Sequence, residues 1–331
     1  MSDLVEIVDV TVTYWSRPGL GLRPKPFHAV KNATLAIATG KTLGLVGESG
    51  SGKSSIANAL LGLVPVGSGT MRFDGQDLAA MTGGYPPEVR KRIQAVFQDP
   101  YSSLNGAMTV EQIVSEPLRV HTETGAEDRR QRAAELLSLV GLDPAHLGRY
   151  PHEFSGGQRQ RIAIASALAL QPRLIVLDEP VSALDVSTQN QIINLLYERQ
   201  EELGIAYLLI AHDLALVHHI SDRIAVMYLG HIVEEGPADR VYHAPAHPYT
   251  KALLDAVPLL DPERQRQRRA ERKRETVPDL PRAADRGCAY SNRCPFAMNR
   301  CRVEAPPAYA VQEGGTAACF LLDENEKETR T

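Results

Sequence analysis

Gly47-Glu48-Ser49-Gly50-Ser51-Gly52-Lys53-Ser54 follows directly on the apolar run Leu43 to Val46 and leads into a second apolar stretch, Ile56 to Leu63. The spacing is G-x-x-x-x-G-K-[ST], and both flanks are the ones this pattern requires, a buried strand before it and a helix after it. Its glycines let the backbone curl so that successive N–H groups and the helix N-terminus face bound phosphate. Lys53 supplies a point charge for the outer phosphates and Ser54 a hydroxyl for Mg²⁺. A ligand-free glycine-rich turn is the plainer reading, and the two flanking runs argue against it. The stretch therefore reads as a nucleoside triphosphate site, with Gly47, Ser49, Gly50, Ser51, Gly52, Lys53, Ser54 and Ser55 as its contacts.

Downstream, Leu174 to Leu177 lead into Asp178-Glu179, two carboxylates at the end of another buried strand. Asp178 suits the Mg²⁺ shell, and Glu179 suits a general base that polarises the attacking water from outside the metal's coordination sphere. The competing reading is a carboxylate pair capping the next helix. Thr42 to Val46, Leu174 to Leu177 and Tyr207 to Ile210 are short apolar runs of the kind buried on both faces of a parallel sheet. Nearer the N-terminus the pattern alternates: Val8, Val10 and Val12 share one face, Ala33, Leu35 and Ile37 repeat the period, and Met71 and Phe73 precede the turn Asp74-Gly75. Trp15 to His28, rich in Pro, Gly and basic residues, reads as an excursion between two strands. Strands separated by helical patterns give a P-loop type α/β fold with an antiparallel β part near the N-terminus.

The 331 residues suit two units, and 43% hydrophobic with 23% charged residues exclude a wholly disordered, collagenous or coiled-coil chain. A net charge of −4 speaks against a dedicated nucleic-acid binder. Met1 to Val10 carries Asp3, Glu6 and Asp9 where a signal peptide has basic and then apolar residues, so a cytoplasmic chain is expected. The charge-free stretch Ser54 to Met71 is broken by Gly62, Pro65, Gly67 and Gly69 and cannot span a bilayer as one helix. From about residue 88 to 150 charge and helix formers dominate, with Arg129 to Val140 the clearest amphipathic stretch, which predicts a mostly helical insertion. A boundary is expected near Pro258, dividing residues 1–258 from a linker and cysteine-rich region at 259–331. Arg264 to Arg274 holds seven basic side chains and one acid, a solvated linker helix in preference to an anionic-lipid contact. All four cysteines, Cys288, Cys294, Cys301 and Cys319, fall beyond it at C-x5-C-x6-C-x17-C. Without a C-x-x-C knuckle a zinc ribbon fits poorly, and disulfides are disfavoured in a reducing compartment. On spacing alone zinc, an iron–sulfur cluster and unligated thiols stay open.

Phe154-Ser155-Gly156-Gly157-Gln158, followed by the basic and then apolar Arg159 to Leu170, resembles the signature motif of ATP-binding cassette proteins. Gln98 after Ala95 to Phe97 resembles the Q-loop of that family, Ser182-Ala183-Leu184-Asp185 its D-loop and His212 after Leu208 to Ala211 its switch histidine. The elements come in the family's order and cover roughly residues 4 to 255. The resemblance implies two such domains sandwiching two ATP molecules, each held by one chain's P-loop and the other's Ser155, Gly156, Gly157 and Gln158. It further implies that His212 contacts the γ-phosphate, that Gln98 links Mg²⁺ occupancy to the helical insertion, and that Tyr14 stacks on adenine, with Trp15 or Phe27 as competitors.

Four longer stretches are similar to the ATPase subunits of bacterial oligopeptide and dipeptide importers: Phe97 to Asn105, Tyr150 to Phe154, Glu179 to Ser187 and His247 to Leu254. Pro180 to Asp185 and the stretch at Trp15 to His28 resemble the second of the two paralogous ATPases in such systems. Two departures occur: Gly106-Ala107 stands where the family has Pro-Arg, and Ser166 where it has Arg. What the resemblance implies is an ATPase that drives peptide import at the cytoplasmic face of the membrane as a peripheral subunit. Its partners would be a second ATPase subunit in a heterodimer, two transmembrane permease subunits and, indirectly, an extracytoplasmic peptide-binding protein. Nickel chelates or glutathione are alternative solutes, and a cassette protein acting on ribosomes or DNA is a more distant reading. The same family binds a 4Fe-4S cluster in a C-terminal cysteine domain, so Cys288, Cys294, Cys301 and Cys319 are expected to ligate one.

Overall fold

The computed structural model describes residues 3–16, 24–81, 84–98, 103–256 and 287–323. The alternating N-terminal pattern becomes a long antiparallel hairpin of β1 (Asp3–Ser16) and β2 (Lys25–Ala38). The chain then enters β3 (Thr42–Val46), turns through the glycine-rich loop into α1 (Lys53–Leu60) and returns as β4 (Ser68–Phe73) and β5 (Gln76–Asp77). Order in this first sheet is β2-β1-β4-β5.

Two expectations change here. Val8 does not share a face with Val10 and Val12: those two are fully buried, whereas Val8 is 45% exposed. Pairing with β2 slips between Ile7 and Val10, where Asp9 takes a left-handed φ of 51°. One extra residue at such a bulge inverts the alternation, so the inward set runs Val5, Ile7, Val10, Val12. The excursion at Trp15 to His28 is also shorter than its composition suggests. Tyr14, Trp15 and Ser16 pair with Phe27, Pro26 and Lys25 as the end of the hairpin; residues 17–23 lie outside the described residues.

A short helix, α2 (Pro87–Arg92), leads into β6 (Ile93–Val96). The region expected to be helical from about residue 88 therefore contains a strand of the main sheet. Four apolar-leaning residues flanked by helix formers are too short a run to register in composition. Its helices follow: α3 (Val110–His121), α4 (Ala126–Leu139) and α5 (Gly156–Leu168). Thr109 starts α3 and Ser155 starts α5 with the same capping box, a hydroxyl accepting from the third residue's N–H while that residue's glutamine returns the bond. Ser166 turns inward from α5, its hydroxyl donating to the Ile113 carbonyl at 3.2 Å, while Gly106 and Ala107 are exposed.

The remaining elements are β7 (Leu174–Asp178), α6 (Val186–Leu203), β8 (Ala206–Ala211), α7 (Leu214–Ile220), β9 (Arg223–Tyr228), β10 (His231–Pro237), α8 (Ala238–His243) and α9 (Pro248–Ala256). Beyond them residues 287–323 contribute α10 (Asn299–Val303), β11 (Tyr309–Ala310) and β12 (Thr316–Ala317). The second sheet has the order β11-β12-β10-β9-β3-β8-β7-β6, parallel from β9 to β6 and antiparallel on the other side. Its central strands separate two cores. Leu43, Leu45, Val176, Leu208 and Met227 face the antiparallel sheet and α1; Ile175, Leu177, Tyr207, Leu209 and Val226 face the helices on the opposite side. Continuous apolar runs and strict alternation thus coexist, because every position of a doubly covered strand is interior. Among the described residues no helix is long and apolar enough to cross a membrane. The boundary near Pro258 and the basic run Arg264 to Arg274 lie outside the described residues.

Candidate functional site

Parallel sheets expose their ligand sites at the carboxyl ends of the strands. There the glycine-rich loop follows β3, Gln98 follows β6, Glu179 follows β7 and His212 follows β8. Those four groups line one cleft of about 520 Å³. Ser49, Gly50, Gly52, Lys53, Ser54 and Ser55 form its floor, and Tyr14, Phe27 and Ala29 from the hairpin form one wall. Gly52 has a φ of +111°, and a Cβ built on it would stand 2.3 Å from the Ala29 carbonyl oxygen, so only glycine lets the loop pass the hairpin at this distance.

Lys53 is 5% exposed. Its ammonium donates to the Gly47 carbonyl at 2.7 Å and the Glu48 carbonyl at 3.0 Å, which fixes it inside the loop. Burial lowers its pKa, partly offset by the carboxylates of Glu179, Asp178 and Glu48. Ser54 donates from Oγ to Asp178 Oδ1 at 3.4 Å, and burial pushes the Asp178 carboxyl above the usual range. A divalent cation between these two groups would reverse that cost, since it stabilises the ionised carboxylate. Glu179 holds a left-handed φ of 47° and donates its N–H to the Ile210 carbonyl at 2.9 Å. Such a backbone is costly for a residue with a side chain and persists where the surroundings fix it. It aims Oε2 at Gln98 Nε2, which donates at 2.7 Å, and at His212 Nδ1, 3.7 Å away. Gln98, Glu179 and His212, distant in sequence, thus form one cluster facing Lys53 and Ser54.

On the aromatic wall Tyr14 and Phe27 pair across the hairpin and both border the cleft; Trp15 is exposed and does not. Ser155, Gly156, Gly157, Gln158 and Asp185 do not line the cleft of their own chain. They lie together elsewhere. Asp185 caps α6 by accepting from the Thr188 N–H at 3.0 Å and hydroxyl at 2.7 Å, bonds that hold its carboxyl below the usual range. A Cβ on Gly157 would meet Thr188 Cγ2 at 2.3 Å, which shows how tightly the start of α5 sits on that cap. The N-terminus of α5, which begins at the exposed Ser155, is a further place where the helix dipole favours an anion.

Three contacts at the loop had no signal in the motif. Tyr249 from α9 accepts the Glu48 N–H at 2.9 Å through its hydroxyl oxygen. Arg293 reaches both Glu48 carboxylate oxygens, at 3.0 and 2.9 Å. Gly230, in the β9–β10 turn, donates to the Ser51 carbonyl at 2.8 Å. Tyr249 lies within the quoted stretch His247 to Leu254 and Arg293 directly precedes Cys294, but neither position predicts a partner some 200 residues away.

The four cysteines border one small cavity with His247, Tyr290, Phe296 and Phe320, and none is in a disulfide. Cys301 and Cys319 are buried. Burial pushes the thiols of Cys294 and Cys319 up to about 11 and that of Cys288 in the same direction. No three of the four sulfurs lie within 4.8 Å of one another, as the ligand atoms of His218, Asp239 and His243 do on the surface among the described residues. Thiolates around one zinc ion stand about 4 Å apart, given bonds of about 2.3 Å, so the set is wider than a closed single-ion site. A metal core would offset the cost that burial places on ionising Cys288, Cys294 and Cys319.

Comparison with known proteins gives two family matches: ABC transporter over residues 30–182, and oligopeptide/dipeptide transporter, C-terminal region, over residues 233–301. The oligopeptide transport ATP-binding protein OppF of Salmonella typhimurium is 48% identical over 327 residues, covering 97% of this chain and 96% of that protein. The glutathione import ATP-binding protein GsiA of Salmonella paratyphi A is 51% identical over 267 residues, 80% of this chain and 43% of that protein. Among solved structures, a dimeric post-hydrolysis state of an ATP-binding cassette bound to ADP and Pi matches with a TM-score of 0.63 and 31% identity, covering 71% of this chain and 98% of the other.

Proposed function

The chain belongs to the ABC transporter family, among the oligopeptide transport ATP-binding proteins, and from that premise we propose that it is the ATP-hydrolysing subunit energising import of di- or oligopeptides across the cytoplasmic membrane. The observation that carries the reading is the convergence of Lys53, Ser54, Asp178, Gln98, Glu179 and His212 from four strand ends on one cleft. In this reading adenine lies against Tyr14, and the phosphates lie over the N–H groups of Gly47 to Ser55 and the Lys53 ammonium. Ser54, Asp178 and Gln98 would hold Mg²⁺, which would supply charge neutralisation to the outer phosphates. Glu179 accepts the proton of the water whose oxygen attacks the γ-phosphorus as the bond to the β,γ-bridging oxygen breaks. Gln98 and His212 hold that carboxylate in place, and His212 is free to contact the γ-phosphate when the site closes.

Because Ser155 to Gln158 and Asp185 lie outside their own chain's cleft, a second ATPase subunit has to bring its signature turn to the γ-phosphate. The dimeric relative with ADP and Pi supports that arrangement. We take the partner to be a paralogue, in a heterodimer on the cytoplasmic face of the membrane with two permease subunits supplied by an extracytoplasmic peptide-binding protein. Peripheral attachment agrees with the lack of any membrane-crossing helix among the described residues. Cys288, Cys294, Cys301 and Cys319 would hold a 4Fe-4S cluster, which supplies a compact cationic core for four thiolates. A second solute, glutathione, is favoured by the 51% identity to GsiA, although the chain spans less than half of that protein.

Glu179→Gln tests the central assignment. Nucleotide affinity should stay within about twofold while the hydrolysis rate falls by about 10²-fold or more, as loss of a positioned general base predicts. Turnover equal to that of the unaltered chain would remove Glu179 from the base's role.

A further inference from the structure

Residues 287–323 reach the nucleotide site through Arg293. Arg293 places its guanidinium on both oxygens of Glu48, the residue after the first glycine of the loop. The guanidinium also sits 6.0 Å from the ring centroids of Tyr228 and Tyr290, and its backbone N–H donates to the Tyr290 carbonyl at 3.0 Å. Tyr249 supplies the second hold, accepting the Glu48 N–H, and packs against Tyr228 at 4.5 Å and Tyr290 at 5.3 Å. Glu48 in turn offers its carbonyl to the Lys53 ammonium at 3.0 Å. A continuous path of named contacts therefore runs from Tyr290 and Arg293, beside Cys294, through Glu48 to the lysine that meets the phosphates.

We infer that Arg293 is a positioning residue of the ATP site, and that residues 287–323 act as a brace which sets the shape of the glycine-rich loop. The inference rests on the ATP-site reading above. Half-exposed ion pairs contribute little to stability by themselves. The geometric effect is larger, because one guanidinium nitrogen shared between both carboxylate oxygens restricts Glu48, one of the two loop residues whose backbone carbonyls hold Lys53. Tyr249 and Arg293 are far apart in sequence, so the brace works only while residues 287–323 stay seated on β10 and the tyrosine cluster.

The test uses the full-length chain and Mg²⁺ with a non-hydrolysable ATP analogue, titrated calorimetrically. Arg293→Ala should weaken binding by about two- to fivefold, the range open to a partly exposed pair. Arg293→Lys should recover part of that loss. In a Glu48→Ala background the same Arg293→Ala change should cost nothing further, since its direct contact with the loop is gone. Amide exchange across Gly47 to Ser51 should quicken in Arg293→Ala. Unchanged affinity, or an equal loss with and without Glu48, would overturn the brace, the latter because Arg293 would then act only through packing on the tyrosines. Failure of the unaltered chain to bind the analogue would instead overturn the ATP-site reading, and the brace with it.

Discussion

Gly157 shows how a single missing Cβ divides two tasks within this chain. It opens α5 against Thr188 of α6, at a distance where an added methyl would overlap Thr188 Cγ2. Gly157→Ala must therefore separate the two helix starts, at a cost of about 1–3 kcal/mol for overpacking. The signature turn lies outside the chain's own cleft, so nucleotide affinity of the isolated subunit should change by less than about twofold, well under the tenfold that 1.4 kcal/mol would give. Hydrolysis by the assembled transporter should fall steeply, because the displaced N–H groups no longer meet the partner's γ-phosphate. Parallel loss of affinity in the isolated subunit would mean that the signature serves its own cleft. At this scale the sequence was most legible where chemistry dictates spacing: Lys53 and Ser54 could be proposed from the strand–loop–helix context, and Asp178 from its place at the end of an apolar strand. Glu48, Tyr249 and Arg293 could not, because ordinary residue types acquire meaning only from a partner brought close by folding.

The turn between β9 and β10 shows an element acting as a clasp. Leu229 and Gly230 take left-handed φ values of 45° and 90°, and Gly230 bonds both Ser51 of the loop and Lys31 of β2, each at 2.8 Å. His231 opens β10 directly after this turn, and burial, then the nearby Lys31 charge, lowers its pKa from 6.5 to about 4. The folded chain thus binds this proton more weakly than the unfolded chain. Between those values acid favours unfolding, so the contribution is complete above the unfolded pKa and is lost as pH falls towards the folded one. From neutral pH to about pH 5 the loss is on the order of 2 kcal/mol. His231→Gln, which cannot charge, should lose correspondingly less, read from urea midpoints at the two pH values; equal losses would clear His231 of acid sensitivity. Strands whose faces are both buried were readable from their apolar runs, as at Leu174 to Leu177 and Tyr207 to Ile210. Val8 misled because a bulge is set by local hydrogen bonding at Asp9, which donates its N–H to the Thr34 hydroxyl at 3.1 Å, and alternation carries no trace of it. Ile93–Val96 was hidden by its helical surroundings, although pairing with β7 makes it part of the main sheet.

Across the whole molecule, residues 287–323 extend the central sheet through β12 on β10, bury Tyr290 in the main core and seat Phe320 under the Arg300 guanidinium at 4.1 Å. Glu234 and Glu235, which pair with β12, also hold Arg240, the first through its carboxylate and the second through its backbone carbonyl, so β10 is tied both to α8 and to β12. Within this frame four thiols border one cavity, and burial disfavours ionisation of Cys288, Cys294 and Cys319. A buried neutral thiol is tolerated as a small hydrophobe, but a thiolate there carries an unmatched charge and its penalty. A metal core, as proposed above, would offset that penalty and make metal binding part of the segment's folding energy. Anaerobically purified chain should therefore contain about four iron atoms, the stoichiometry of a cluster with four thiolate ligands. Cys319→Ser, removing a ligand next to Phe320, should lose most of that iron and loosen the segment's hold on Glu48, seen as faster amide exchange from Gly47 to Ser51. Stoichiometric zinc in place of iron would overturn the cluster while leaving the brace intact. Iron loss with unchanged exchange would leave the cluster standing and show that Tyr290 and the β10–β12 pairing seat the segment without it.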